Sequence, residues 1–322
     1  MTLGLLGLLL ACGRGPVLDQ GGAEAPRAVA GERVRFLAVG DTGMGNAPQR
    51  RVAAAMQAHC QGRTDALGPG CDFLVLLGDV VYPAGVTGPD DPLWESRGVG
   101  PYESLNLPIY GVLGNHDYGD PPIERARAAA LVQGPTAPSP WIMPGPWYAF
   151  DAGPARFVVL DTSAVMMGWT DEQQTAYFRQ QAELAAGRPL ILLAHHPLRS
   201  NGQHGNAGEY EGSAWIPFAS GRRIARLYED TVCGRAAMLL SGHEHSRQWL
   251  EPACGMELVV LGSGAAATPL VGRGNPTFFE EATERGFGWF ELTAEGFRGE
   301  ILDEHGDIDF VREGRWAPAE AR

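Results

Sequence analysis

Positive charge is scarce in this chain: 25 Lys and Arg face 38 Asp and Glu, for a formal net charge of −13. That balance argues against a nucleic-acid or anionic-membrane binder, and an anionic substrate would need a local positive centre to overcome the field. No C-x-x-C spacing occurs, which disfavours a cysteine zinc site. The stretch "GHEHSR" starts like an H-E-x-x-H zinc helix at His243-Glu244, but its fifth position is Arg247. No complete G-x-G-x-x-G exists either, and "LGSGAAATP" reads as the turn after a strand. The opening run "MTLGLLGLLLAC", residues 1–12, holds roughly ten apolar residues, about half of what a membrane span requires. Linkers, low-complexity tracts and internal repeats are also missing from residue 34 onward. One domain is therefore expected over roughly 32–315, with a frayed tail at 316–322.

What is present fits a globular protein. The chain has 322 residues, 44% of them hydrophobic, which suffices for a sizeable core. The 44 glycines and 24 prolines indicate a loop-rich protein with tight turns rather than a helical bundle. Residues 1–12 read as the apolar region of a signal peptide, and Leu9-Leu10-Ala11-Cys12 resembles a bacterial lipobox, although no basic residue precedes it. The expectation is an exported protein, in the periplasm or on the outer surface, meeting the membrane only through a lipid on Cys12. Residues 13–31, rich in Gly, Ala and Pro, are expected to be a tether. The four remaining cysteines, Cys60, Cys71, Cys233 and Cys254, suggest two disulfides among three possible pairings. Cys60–Cys71 and Cys233–Cys254 close the short loops, and free buried thiols are the alternative.

A pattern recurs along the domain. "VRFLAVGD" ends at Asp41, "FLVLLGD" at Asp79, and "IYGVLGNHD" at Asn115, His116 and Asp117. "LILLAHHP" ends at His195 and His196, and "AAMLLSGHEH" at His243 and His245. Each is a short continuous apolar run, the mark of a strand buried on both faces, followed by a small residue and then a metal-ligand type. Helices are expected between them at 47–59, 123–132, 171–186 and 218–229, with Thr170 or Asp171 capping the third. Alternating strands and helices imply a mainly parallel α/β sheet, and such sheets bind ligands at the carboxyl ends of their strands. Six of the eight histidines fall between 116 and 245, and all but one of those six belong to the run endings. The polar clusters are thus expected to converge. His196 is expected to pack behind the site, while His59 and His305 are expected in solvent. Trp141, Trp147, Trp215 and Trp249 read as core or rim packing, and "GMGN" and "WIPFAS" as candidate rim of the substrate entrance.

Carboxylates, an amide, imidazoles and a phenol without thiolates suit Fe, Mn, Zn or similar ions. The donors are too many for one tetrahedral zinc, but two metals sharing a carboxylate would use them all. Two ions about 4 Å apart form a clamp for in-line displacement at phosphorus, and they supply the missing positive centre.

"GDTG", "GDVVY", "GNHD", "LLAHHP" and "GHEH", in this order, resemble the calcineurin-like metallophosphoesterase superfamily. More narrowly they are similar to purple acid phosphatases of the small, tartrate-resistant type, over residues from about 34 to about 267. Many members of the superfamily place a histidine two residues after the first aspartate. Here that position is Gly43, and the purple type uses instead the tyrosine of G-D-x-x-Y, which is Tyr82. The resemblance implies one metal on Asp41, Asp79, Tyr82 and His245, and another on Asp79, Asn115, His195 and His243. It implies Fe(III) beside the tyrosinate and a second divalent ion (Fe, Zn or Mn), with His116 and His204 serving the phosphate and the leaving oxygen. The implied fold is α/β, a β-sandwich of two mixed sheets flanked by helices, with the dinuclear site at strand C-terminal ends. The implied activity is hydrolysis of small-molecule phosphate monoesters by activated water. A phosphodiesterase or nucleotide-cleaving enzyme is the nearest alternative. A surface binding lipoprotein with a decayed site is the other, and it is opposed by competent residues at every ligand position.

Overall fold

The structure is a computed structural model that describes Leu18 and residues 21–209 and 218–316. The expected leader and lipid site at Cys12, residues 13–17, Trp215 and residues 317–322 lie outside the described residues. In chain order the first half has β1 (Ala23–Glu24), β2 (Arg33–Val39), α1 (Ala47–Arg63), β3 (Phe73–Leu76), β4 (Ile109–Gly111), α2 (Arg125–Gln133), β5 (Trp141–Ile142), β6 (Tyr148–Ala152) and β7 (Ala155–Val159). Then come α3 (Thr162–Met166), α4 (Asp171–Ala185), β8 (Leu190–Ala194), α5 (Gly221–Arg226), β9 (Met238–Ser241), β10 (Arg247–Ala253) and β11 (Met256–Leu261). The chain closes with β12 (Thr277–Glu281), β13 (Gly286–Thr293), β14 (Gly296–Asp303) and β15 (Ile308–Arg315).

Two mixed sheets are present, as the family resemblance implied, where the strand–helix alternation alone suggested one. One runs β1-β6-β7-β8-β9-β11-β10-β12 and the other β15-β14-β13-β2-β3-β4-β5. Parallel pairing joins β2 to β3 and β4, and separately β7 to β8, β9 and β11, while strands beyond these centres pair antiparallel in part. The inner faces meet through aromatic rings. Phe36 of β2 stacks on Phe73 and Phe290 of its own sheet, with centroids 5.1 and 5.2 Å away, and meets Phe157 of the other sheet edge-on at 5.3 Å. Each such pair adds about 0.5–1.5 kcal/mol beyond the area it buries. The outer face of the β7–β8–β9 sheet is covered by α4 and α5, whose Phe178 and Ile224 pack into a second apolar cluster. Among the described residues no helix is long and apolar enough to cross a membrane.

Four local expectations are corrected. The tether is part of the domain over residues 21–31: Ala23 and Glu24 pair with Tyr148 and Ala149, Val29 bridges Ala152, and Ala25 is buried. Edge pairing of so short a segment depends on its partner strand, and local composition does not reveal it. Trp316 likewise does not fray, since its indole donates to Thr293 O and its ring packs on Phe297. Thr170 is the N-cap position of α4, but its hydroxyl caps no backbone amide and instead accepts from the Gln174 side chain. His59 is not solvated; its ring packs against Trp289 with the Glu300 carboxylate 3.4 Å away. His305 is exposed as expected. Cys60–Cys71 and Cys233–Cys254 are the two disulfides.

Candidate metal centre

The two sheets contribute unequally typed donors to one seam. β2, β3 and β4 lead into Asp41, Asp79 and Asn115–His116, whereas β8 and β9 lead into His195 and His243–His245. Each turn at a strand end is sharp. Asp41, Asp79 and His243 all adopt left-handed backbone, with φ of 58°, 52° and 70°. Such strain costs roughly 1–3 kcal/mol per residue and persists where the surroundings enforce it. Small residues precede the ligand types because the backbones crowd together. A Cβ on Gly114 would lie 2.2 Å from Asp79 Oδ1, so no other residue fits there.

The donor atoms form two groups that share Asp79. Around the Tyr82 hydroxyl lie Asp79 Oδ2 at 2.8 Å, Asp41 Oδ1 at 2.9 Å and His245 Nε2 at 3.0 Å. In the other group His195 Nε2 and His243 Nδ1 each lie 3.1 Å from Asn115 Oδ1 and 3.3 Å from each other. Asp79 Oδ1 is 3.6 Å from His195 Nε2. Metal–ligand bonds of about 2.1 Å give donor-to-donor edges of roughly 3 Å in an octahedron and about 3.4 Å in a tetrahedron. Both groups therefore have the spacing of coordination shells. The ligand atoms of Asp41, Asp79 and His195, all buried, lie within 4.8 Å of one another.

Proton counting gives the same result. The single hydroxyl proton of Tyr82 faces two carboxylate oxygens, Asp41 Oδ1 and Asp79 Oδ2, and can satisfy only one of them. Burial, then the charges of Asp41 and Asp79, push that phenol well above its ordinary range. His195 Nδ1 faces the Leu77 carbonyl at 2.9 Å, and a carbonyl can only accept, so the proton sits on Nδ1 and Nε2 presents a lone pair inward. His243 is held well below the usual imidazole range by burial first and then by the neighbouring histidines, so it is neutral. Asp41 is held below the usual carboxylate range: burial would raise it, but the His245 hydrogen bond and the nearby imidazoles outweigh that. Lone pairs thus converge with too few protons to satisfy them, the condition a bound cation relieves.

His116 and His204 border this cluster. His116 packs against Tyr82 with the rings tilted by 50° and centroids 4.6 Å apart, and its Nδ1 donates to Pro83 O at 2.7 Å, leaving Nε2 as the other ring nitrogen. His204 lies over His243 at 4.4 Å, with its side chain about half exposed and its Nδ1 3.3 Å from Glu244 Oε2. The Glu244 hydrogen bond lifts His204 above the ordinary imidazole range, against burial. His196 packs behind the cluster as expected: it is buried, 4.4 Å from the His243 ring and bonded to Thr162 Oγ1 at 2.8 Å.

Two acids have supporting roles that the sequence reading did not assign. Asp117 is buried and accepts from the amides of Gly114 and Val80 at 2.9 and 3.0 Å, tying the turns after β3 and β4 together. Burial and the charge of Asp79 push its carboxyl well above the usual range. Glu244 is buried and accepts from Gly205 N at 2.7 Å, anchoring the turn that carries His204. Both stand inside the motifs "GNHD" and "GHEH", which was the available signal, but an acid adjacent to ligand-type residues does not disclose that it turns toward backbone amides.

Comparisons with known proteins agree with this geometry. A family model described as calcineurin-like phosphoesterase matches residues 34–247. The chain is 24% identical over 282 residues to tartrate-resistant acid phosphatase type 5 of Mus musculus, covering 80% of this chain and 78% of that protein. It is 27% identical over 260 residues to purple acid phosphatase 4 of Arabidopsis thaliana, covering 73% and 69%. Among solved structures, GAP50, the anchor in the inner membrane complex of Plasmodium, superposes with a TM-score of 0.69 at 20% identity, covering 88% of this chain and 89% of that one. With the ligand-type residues gathered at the seam of a two-sheet sandwich, the chain belongs to the calcineurin-like phosphoesterase family, as a purple-acid-phosphatase-like hydrolase of phosphoric esters.

Proposed function

We propose that this hydrolase acts on phosphate monoesters of small molecules at a dinuclear centre of Fe(III) and a divalent Fe, Zn or Mn ion. Asp41, Asp79, Tyr82 and His245 would hold the iron, and Asp79, Asn115, His195 and His243 the second ion. The observation that carries the reading is the pair of acceptor-rich shells hinged on Asp79. The phenol supports the iron assignment, as does Gly43: a Cβ there would lie 2.2 Å from Val80 O, leaving no room for the histidine other members use. When bound, the two ions would supply Lewis acidity and a water of lowered pKa.

The protein's own groups do the rest. His116 has its Nδ1 proton committed to Pro83 O, so Nε2, when protonated, donates to a phosphate oxygen. His204 has Nδ1 turned to Glu244, so Nε2 is the atom that delivers a proton to the leaving oxygen. Export, with a lipid on Cys12, belongs to the same proposal, and two disulfides suit an oxidising compartment. Steady-state kinetics on matched aryl esters test the substrate class: kcat/KM is expected to favour a phosphomonoester over its bis-ester by at least about tenfold. A preference for the bis-ester would replace this reading with a diesterase.

A further inference from the structure

His204 rides on a turn between β8 and α5, and with its ring about half exposed its position depends on the backbone beneath it. Two residues from elsewhere in the chain grip that backbone. From below, Glu244 accepts from Gly205 N at 2.7 Å. From outside, Arg273 donates Nε to Gly202 O at 2.8 Å and Nη2 to Gln203 O at 2.6 Å, while Nη1 reaches Glu209 Oε2 at 2.6 Å. The fit is close on both sides. Gly205 has φ of +89°, and a Cβ there would lie 2.6 Å from the Arg273 guanidinium carbon; a Cβ on Gly202 would lie 2.2 Å from Glu244 Oε2.

We infer that Arg273 is a positioning residue for the reaction, acting through His204 by fixing the turn that carries it. Arg273 itself touches no donor of the metal cluster in any hydrogen bond described above. Its planar fork spans two consecutive carbonyls and a carboxylate at once, which a lysine ammonium cannot reproduce in one geometry. Displacing a proton donor by about 1 Å can lower a rate by up to about a hundredfold, so a clamp on the donor's backbone matters where the donor's own ring is loosely packed. The inference rests on the assignment of His204 to the leaving oxygen made above.

The test uses the metal-loaded enzyme and a series of phosphomonoesters whose leaving groups run from nitrophenols to alkyl alcohols. Arg273→Ala should lower kcat about tenfold or more for alkyl esters and little for the most activated aryl esters, with KM nearly constant. Arg273→Lys should fall between. Added to His204→Ala, Arg273→Ala should cause no further loss, since both act through one proton donor. An equal loss for every leaving group, or additive losses in the double variant, would overturn the inference. Amide hydrogen exchange gives a readout independent of turnover: Arg273→Ala should speed exchange at Gly205 while leaving β8 and β9 unchanged, and unchanged exchange at Gly205 also counts against the clamp. Should wild type prefer diesters, the monoester reading fails, and the same series run with diesters still decides the role of Arg273.

Discussion

Asp161 shows how far the environment of a single residue can depart from its type. Its carboxyl is buried, caps α3 by accepting from Ala164 N, and accepts from the Tyr118 hydroxyl. Burial pushes its pKa from 3.8 up to about 6, although the Tyr118 and backbone hydrogen bonds oppose the rise. The folded protein therefore holds this proton more tightly than the unfolded chain does. That contribution to stability is fully present below about pH 4 and is lost as pH rises through about 6, a difference on the order of 3 kcal/mol. Asn can keep the cap through Oδ1, and its Nδ2 can donate to the Tyr118 hydroxyl, which then accepts. Asp161→Asn should thus melt above wild type at pH 7 and lose that advantage at pH 4; identical melting profiles across this range would refute the buried-charge account. At this scale the sequence was most informative about ligand-type residues. All seven candidate ligands and both flanking histidines could be named from run endings and motifs, whereas Asp117, Glu244 and Arg273 act on backbone groups, most of them far away in sequence. A residue's type shows what it can bond to, and only the fold shows which amides and carbonyls come within its reach.

Among the elements, the buried parallel strands were legible because a strand covered on both faces must be apolar throughout. β12 and β15 were not, since they alternate between exposed and half-buried residues, and β13 and β14 were not because glycines and charged residues interrupt their largely buried runs. The segment before β2 read as a tether because small residues say little about edge pairing. The helix expected at 218–229 is a short α5 that relaxes into a wider turn over Leu227–Val232. That turn ends at Cys233, whose disulfide to Cys254 spans 21 residues and joins it to the β10–β11 hairpin. The bridge lies at the start of β9, opposite the end that carries His243. Closing a loop of this length is worth about 3 kcal/mol in the chain-entropy account. The double replacement of Cys233 and Cys254 by serine should lower unfolding free energy by about that amount, measured by denaturant titration, while kcat at 25 °C stays close to wild type. A collapse of kcat in the folded variant would mean that the bridge acts on the site.

For the whole molecule, the seam between the sheets joins charge, stability and chemistry. A chain of net charge −13 brings the buried carboxylates Asp41, Asp79 and Asp117 together with left-handed, strained turns at two of them. Unrelieved, that cluster opposes folding; cations bound there would bring the ends of β2, β3 and β4 into one shell with those of β8 and β9. Binding of this kind stabilises the native state by mass action and gives an anionic ester its positive destination. It also explains why donors scattered over some two hundred residues converge.

Metal analysis of the aerobically purified enzyme, taken together with its visible spectrum, tests this most directly. Two ions per folded chain are expected, one of them iron, with a broad visible band that disappears in Tyr82→Phe. Asp79→Asn should hold no more than one ion and lose at least about a thousandfold in kcat. A fully active wild-type preparation carrying one ion or none per chain would contradict the account.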